Sequence, residues 1–157
     1  MSRLPESTWR IMLWSMPIPC VDVIVKRDGK ILIGFRKIEP YRNCWALPGG
    51  RILKDERPED TARRNLREIE VSADIRRLVG VFPVRFANHP QKRHDITLCY
   101  DSNWRSGEPK PNNELATFKW ISPSNIPIRM GGNYKKMIQA AYCASPQTAY
   151  RAAEMNR

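Results

Sequence analysis

Gly49-Gly50-Arg51-Ile52-Leu53-Lys54-Asp55-Glu56, continued by a charged run to Glu70, is the stretch that decides how this chain reads. The short apolar strand Trp45-Ala46-Leu47-Pro48 leads into it. The order predicts a strand, a glycine turn, a short loop and then a helix rich in arginine and glutamate. That helix opens at Pro58-Glu59-Asp60 and runs to about Glu70. Proline fits a first helical turn, and acidic residues suit the positive end of the helix dipole. Glycine lacks a Cβ, so its backbone can approach a ligand closely. Carboxylates and guanidinium groups on one helix beside such a backbone are the chemistry that holds a divalent cation and a diphosphate together.

Upstream, Pro5 to Ser15 predicts a short helix with Trp9, Leu13 and Met12 on one face, ended by Pro17. Cys20 to Lys26 has the composition of a buried strand, and Asp28-Gly29 turns it back into a second strand, Lys30 to Phe35. Downstream, strands are predicted at Ile75 to Phe82, Val84 to Ala87, Asp95 to Asp101 and Phe118 to Ile121, with a polar loop from Arg105 to Asn113. Tyr134 to Tyr142 predicts a closing helix with Met137, Ile138 and Ala141 inward. Strands interleaved with two main helices and hairpin connections imply an α/β sandwich around a mixed sheet.

The length of 157 residues fits one domain with a single core: an N-terminal helical extension at 1–17, a core at 18–142 and a tail at 143–157. No stretch approaches the roughly 20 apolar residues of a membrane span. The first residues lack a secretory pattern, so a cytoplasmic protein with no membrane partner is expected. Cys20, Cys44, Cys99 and Cys143 form no C-x-x-C pair, which disfavours a zinc site. A net charge of +11 favours anionic partners. Lysine and arginine are spread along the chain with no aromatic-interleaved block, which favours a small nucleotide-type ligand over nucleic acid.

Gly50, Glu56, Arg64, Leu66 and Glu68 follow the spacing of the Nudix box, G-x5-E-x7-R-E-U-x-E-E-x-G-U, and Trp45-Ala46-Leu47-Pro48-Gly49-Gly50 is similar to the W-x-x-P-G-G approach of that family. The chain thus resembles the Nudix hydrolases over about residues 18 to 142. The resemblance implies a Nudix-type α/β/α sandwich, a Mg2+ cofactor and a small nucleotide-linked substrate. The box places Glu where this chain has Asn65 and Ile69, and Gly where it has Val71. Glu68 is the one box glutamate left of those that bind Mg2+. Glu70 lies one step beyond, and helical residues two apart point about 200° from each other.

Within that family the chain most resembles the GDP-mannose mannosyl hydrolases. That resemblance implies sugar or diphosphate contacts from Asp22, Arg36, Arg51 and Arg64. It implies a cation held by the Gly50 carbonyl, by Glu68 or Glu70, and by Glu114. The subgroup's histidine base falls at Leu115, so His94 or His89 would have to replace it, with Arg36 offsetting the charge of the leaving diphosphate. Asp22 is unusual by composition alone, because a carboxylate in an apolar strand must be paired or engaged by a ligand. The alternative to a ligand is pairing with Arg36 or Lys26. Three functions fit: hydrolysis of a nucleotide sugar such as GDP-mannose, cleavage of a phosphoanhydride, or nucleotide binding without turnover. A homodimer is compatible with an N-terminal helix that reaches across to a second copy.

Overall fold

The computed structural model describes residues 4–86 and 93–142. His89 and the tail at 143–157 lie outside the described residues. The chain forms α1 (Glu6–Ser15), β1 (Ile18–Arg27), β2 (Lys30–Arg36), β3 (Trp45–Ala46), β4 (Gly49–Arg51), α2 (Pro58–Arg67), β5 (Ser72–Arg85), β6 (His94–Ser106), β7 (Leu115–Ile121) and α3 (Tyr134–Tyr142). Among the described residues no helix is long and apolar enough to cross a membrane.

The strands form one seven-stranded mixed sheet. β1 pairs β6 in parallel along nearly its whole length, and the other pairings are antiparallel. The β1–β2 hairpin turns at Asp28 and Gly29, both with positive φ as a tight turn of this kind requires. Beyond the turn the two strands pair only at Lys26–Ile31 and Arg27–Lys30. They then part, and the same edges are taken by β4 on β1 and by β3 on β2. The segment Trp45 to Arg51 is therefore a wedge between two diverging strands, and this wedge locates the site.

Alternation along β1 sorts the core into two layers. Val21, Val23 and Val25 meet Ala62 and Leu66 of α2, while Ile24 meets Met137 and Ile138 of α3. Each fully buried Val, Leu or Ile contributes about 1.5–3 kcal/mol relative to exposure. Helices thus cover both faces, giving the α/β/α sandwich that the sequence predicts. α1 docks beside the α3 layer, with Leu13 buried on Ile18 and Cys20 and with Trp9 and Met12 packed alongside.

Three local expectations change. Gly49 and Gly50 belong to a strand and not to a turn, because both pair with β1. The helix after the box loop stops at Arg67, and Glu70 sits beyond it in the left-handed region at φ 59°. The two strands expected at 75–82 and 84–87 are one long edge strand, β5, carrying three register shifts. Pro83 fits there because an edge strand tolerates a missing N–H.

Candidate functional site

The start of α2 is fixed to the loop before it by one carboxylate. Glu56 accepts from Arg64 Nε at 2.8 Å, Arg64 Nη2 at 3.0 Å, the Thr61 hydroxyl at 2.7 Å and the Leu53 N–H at 3.2 Å. The Arg64 hydrogen bond is the main reason the Glu56 carboxyl is held down at about 2. The remaining donors of Arg64 go to the Arg51 carbonyl at 2.8 Å, to Asn65 Oδ1 at 3.1 Å and to Glu68 Oε1 at 3.0 Å. Arg64 is thus a structural latch between α2 and β4, and its fork is already engaged. This differs from the diphosphate contact expected of it.

The ladder between β1 and β4 decides which glycine carbonyl is free. Val23 N–H donates to the Pro48 carbonyl at 2.8 Å and Ile52 N–H to the Pro19 carbonyl at 3.0 Å. The register places Val21 opposite Gly50 midway between these bonds. Hydrogen-bonded pairs recur at every second residue of an antiparallel ladder, so the Gly50 backbone is engaged with Val21. Gly49, opposite Asp22, belongs to the other kind of pair, and its carbonyl points away from β1 into the gap where β1 and β2 part. The oxygen expected from Gly50 is therefore offered by Gly49. A Cβ on Gly49 would lie 2.0 Å from Asp22 Oδ1 and 2.5 Å from the Val21 carbonyl, so only glycine fits. A Cβ on Gly50 would lie 2.7 Å from Asn65 Oδ1.

Two adjoining clefts meet at this wedge and share Arg36, Gly49, Gly50, Arg51 and Glu114. The cleft on the α2 side, about 220 Å³, adds Asn65 and Glu68. The cleft on the α3 side, about 300 Å³, adds Trp9, Asp22, Arg93, Asp95 and Tyr134. Arg36, at the end of β2, donates to the Pro40 carbonyl at 2.7 Å and faces Glu114 Oε2 at 3.7 Å. Asp22 is 8% exposed and makes no ion pair among the described residues. Lys26, one alternative partner, bonds Asp101 at 2.9 Å instead. Burial raises the Asp22 carboxyl to about 7, with Arg36 opposing the shift and Asp95 adding to it.

Glu68 and Glu114 line one cleft with the glycine strand. Glu70 does not join them. Its carboxylate lies 2.6 Å from Lys110 Nζ, past the end of the helix. His94 also stands apart: Asp95 and Thr97 line the cleft, so alternation along β6 turns His94 to the other face. Its Nε2 is buried without a partner among the described residues. Leu115 and Ile69 are core residues, 6% and 1% exposed.

Sequence reasoning missed the bidentate Arg93–Asp95 pair, at 2.7 and 2.8 Å, and the place of Trp9 in the cleft wall. An acid in an apolar strand, the signal that singled out Asp22, also marks Asp95.

No group of three His, Cys, Asp or Glu side chains among the described residues is placed to hold a metal ion. The hard oxygen donors that line one cleft are two carboxylates, Glu68 and Glu114, with Gly49 beside them. Asn65 stands beside them with its Nδ2 buried and without a partner among the described residues, where the box has a glutamate. Such a set fits one hard divalent cation completed by phosphate oxygens and water, and does not fit a cluster of several cations.

Residues 16–141 match the family model described as NUDIX domain. Among curated relatives, the low-salt glycan biosynthesis protein Agl8 of Haloferax volcanii is 33% identical over 82 residues, covering 52% of this chain and 53% of that protein. The match thus spans about half the length of that relative. The ADP-ribose pyrophosphatase of Methanocaldococcus jannaschii is 27% identical over 128 residues, covering 81% of this chain and 74% of that protein. Among solved structures, a MutT NUDIX hydrolase from Burkholderia pseudomallei superposes with a TM-score of 0.71 at 25% identity, covering 80% of this chain and 98% of that one. A UDP-X diphosphatase shares the fold, with a TM-score of 0.66 at 19% identity over 96% of this chain and 73% of that one.

Proposed function

This chain belongs to the NUDIX domain family, and within it we propose that the protein hydrolyses a nucleoside diphosphate linked to a sugar, of the GDP-mannose type, with one Mg2+ ion. The observation that carries this reading is the pairing of Asp22 with Gly49. A buried carboxylate without an ion pair among the described residues sits directly beside the glycine strand, between Arg36 and the α3 layer. A carboxylate so placed needs a hydrogen-bond donor from the ligand, and a sugar hydroxyl supplies one. The arginines beside it suit phosphate oxygens, which accept from guanidinium forks. The diphosphate therefore lies across β4 and the sugar enters the cleft on the α3 side.

Glu68, Glu114 and the Gly49 carbonyl are the groups that would hold the ion. When bound, Mg2+ would supply positive charge next to the bridging phosphates. Arg36 and Arg51 neutralise the departing diphosphate. Glu56 and Arg64 keep Glu68 and β4 in register. The kinship with Agl8, named for glycan biosynthesis, agrees with a sugar-linked substrate.

A second reading has water attack phosphorus and split the phosphoanhydride. The relatives named ADP-ribose pyrophosphatase and putative 8-oxo-dGTP diphosphatase favour it, at 27% and 29% identity. One experiment separates the two. GDP-mannose, ADP-ribose and 8-oxo-dGTP are each incubated with the protein and Mg2+ in 18O-labelled water. The proposal expects GDP and free mannose, with label in the sugar. Label in a phosphate product would replace it with the second reading. No turnover of any of the three would remove both.

A further inference from the structure

Four arginines line the two clefts, and three of them face carboxylates. Arg36 faces Glu114 at 3.7 Å, Arg64 faces Glu56 at 2.8 Å, and Arg93 faces Asp95 at 2.7 Å. Arg51 has no carboxylate within 4.0 Å among the described residues. Its guanidinium lies instead over an indole, with Cζ 4.4 Å from the centre of the Trp9 ring. Trp9 belongs to α1 and lies one turn before Leu13, the residue that buries the helix on Ile18 and Cys20. The ring therefore rests on an anchored helix and forms one wall of the cleft on the α3 side.

The difference matters for an anion. An arginine already paired with a carboxylate offers an incoming diphosphate less net charge than an unpaired one. An arginine held on an aromatic face keeps its full charge, and its N–H groups remain free to donate. Arg51 is the last residue of a three-residue strand and is exposed, so its long side chain would otherwise sample many rotamers.

We propose that Trp9 is a positioning residue, and that α1 serves the site by holding the Arg51 guanidinium, the one cleft guanidinium without a carboxylate partner among the described residues, ready for a diphosphate. This rests on the reading that the cleft takes a nucleoside diphosphate. It gives the N-terminal helix a role in affinity that packing alone does not require.

A double-mutant cycle on the full-length chain tests it, with GDP and Mg2+ as the probe and titration calorimetry as the readout. Trp9→Leu keeps an apolar side chain against the Leu13, Ile18 and Cys20 cluster and removes the aromatic face. Its affinity for GDP falls roughly two- to fivefold, the range of an exposed cation–π contact. Trp9→Phe recovers at least half of that loss. In an Arg51→Ala background, Trp9→Leu causes no further loss. An equal loss in both backgrounds would overturn the inference, since the ring would then touch the ligand or merely support the fold. Unchanged affinity in Trp9→Leu, with a loss in Arg51→Ala, would also overturn it. Absence of GDP binding by the wild-type chain would instead remove the substrate reading and this inference with it.

Discussion

Replacing Glu56 by glutamine tests the latch that positions the site. The carboxylate accepts from two Arg64 nitrogens, the Thr61 hydroxyl and the Leu53 N–H. An amide in its place keeps one acceptor and turns an NH2 group toward guanidinium donors. Charge-assisted bonds contribute about 1.5–3 kcal/mol each, and part of that is screened here because Glu56 and Arg64 are 17% and 25% exposed at the side chain. A destabilisation of about 2–3 kcal/mol at pH 7 follows, a fall in Tm of roughly 5–10 °C for a domain of this size. Linkage gives a similar ceiling. Holding a carboxyl at about 2 instead of 4.5 corresponds to about 3 kcal/mol in favour of the charged form. Because the folded value is depressed, that stability is full above about pH 4.5 and is lost as pH falls toward 2. Urea denaturation at a series of pH values reads this directly. The gap between wild type and Glu56→Gln is widest at pH 7 and closes on acidification. A gap below about 0.5 kcal/mol at pH 7, or one that stays constant down to pH 2.5, would refute the latch.

Gly49→Ala forces a Cβ to within 2.5 Å of the Val21 carbonyl and costs at least about 3 kcal/mol in chemical denaturation, because backbone must move. Gly50→Ala meets only the Asn65 side chain and costs less, and a combined Gly50→Ala/Asn65→Ala variant recovers stability relative to Gly50→Ala. Asp22→Asn behaves oppositely in pH: burial raises the folded carboxyl from 3.8 to about 7, so the charged form penalises the fold. The variant is more stable by about 1–3 kcal/mol above pH 7, and the advantage vanishes as pH falls to about 4, as thermal melts across pH would show. Glu70→Gln removes only the Lys110 contact and leaves Mn2+ affinity unchanged, whereas Glu68→Gln lowers it at least fivefold in an electron paramagnetic resonance titration.

The architecture was legible because its signals are local. The apolar composition of Cys20 to Lys26, the Asp28-Gly29 turn and the proline opening α2 each specify an element, and hydrophobic periodicity assigns the helix faces. The glycine pair was harder. A Gly-Gly following Pro48 has the chemistry of a turn, and only the partner strand β1 makes it a strand and frees the Gly49 carbonyl. The arginines show the same limit. The family resemblance singles out Arg36, Arg51 and Arg64, yet tertiary contacts engage Arg64 with Glu56 and leave Arg51 on Trp9. His94 attracted attention as one of two histidines, and strand alternation turns it from the cleft. Asn65 was legible as a missing acid. Its place against Gly50, with Nδ2 buried and without a partner among the described residues, appears only once α2 is packed under β4.

The central claim is that Glu68, Glu114 and the Gly49 carbonyl hold one divalent cation against a diphosphate. Anomalous diffraction from crystals grown with Mn2+ and GDP tests it most directly. The account predicts a single peak with all three oxygens at about 2.2 Å and a phosphate oxygen completing the shell. A peak instead among Asp55, Glu56 and Asp60, on the outer side of the box loop, would contradict it.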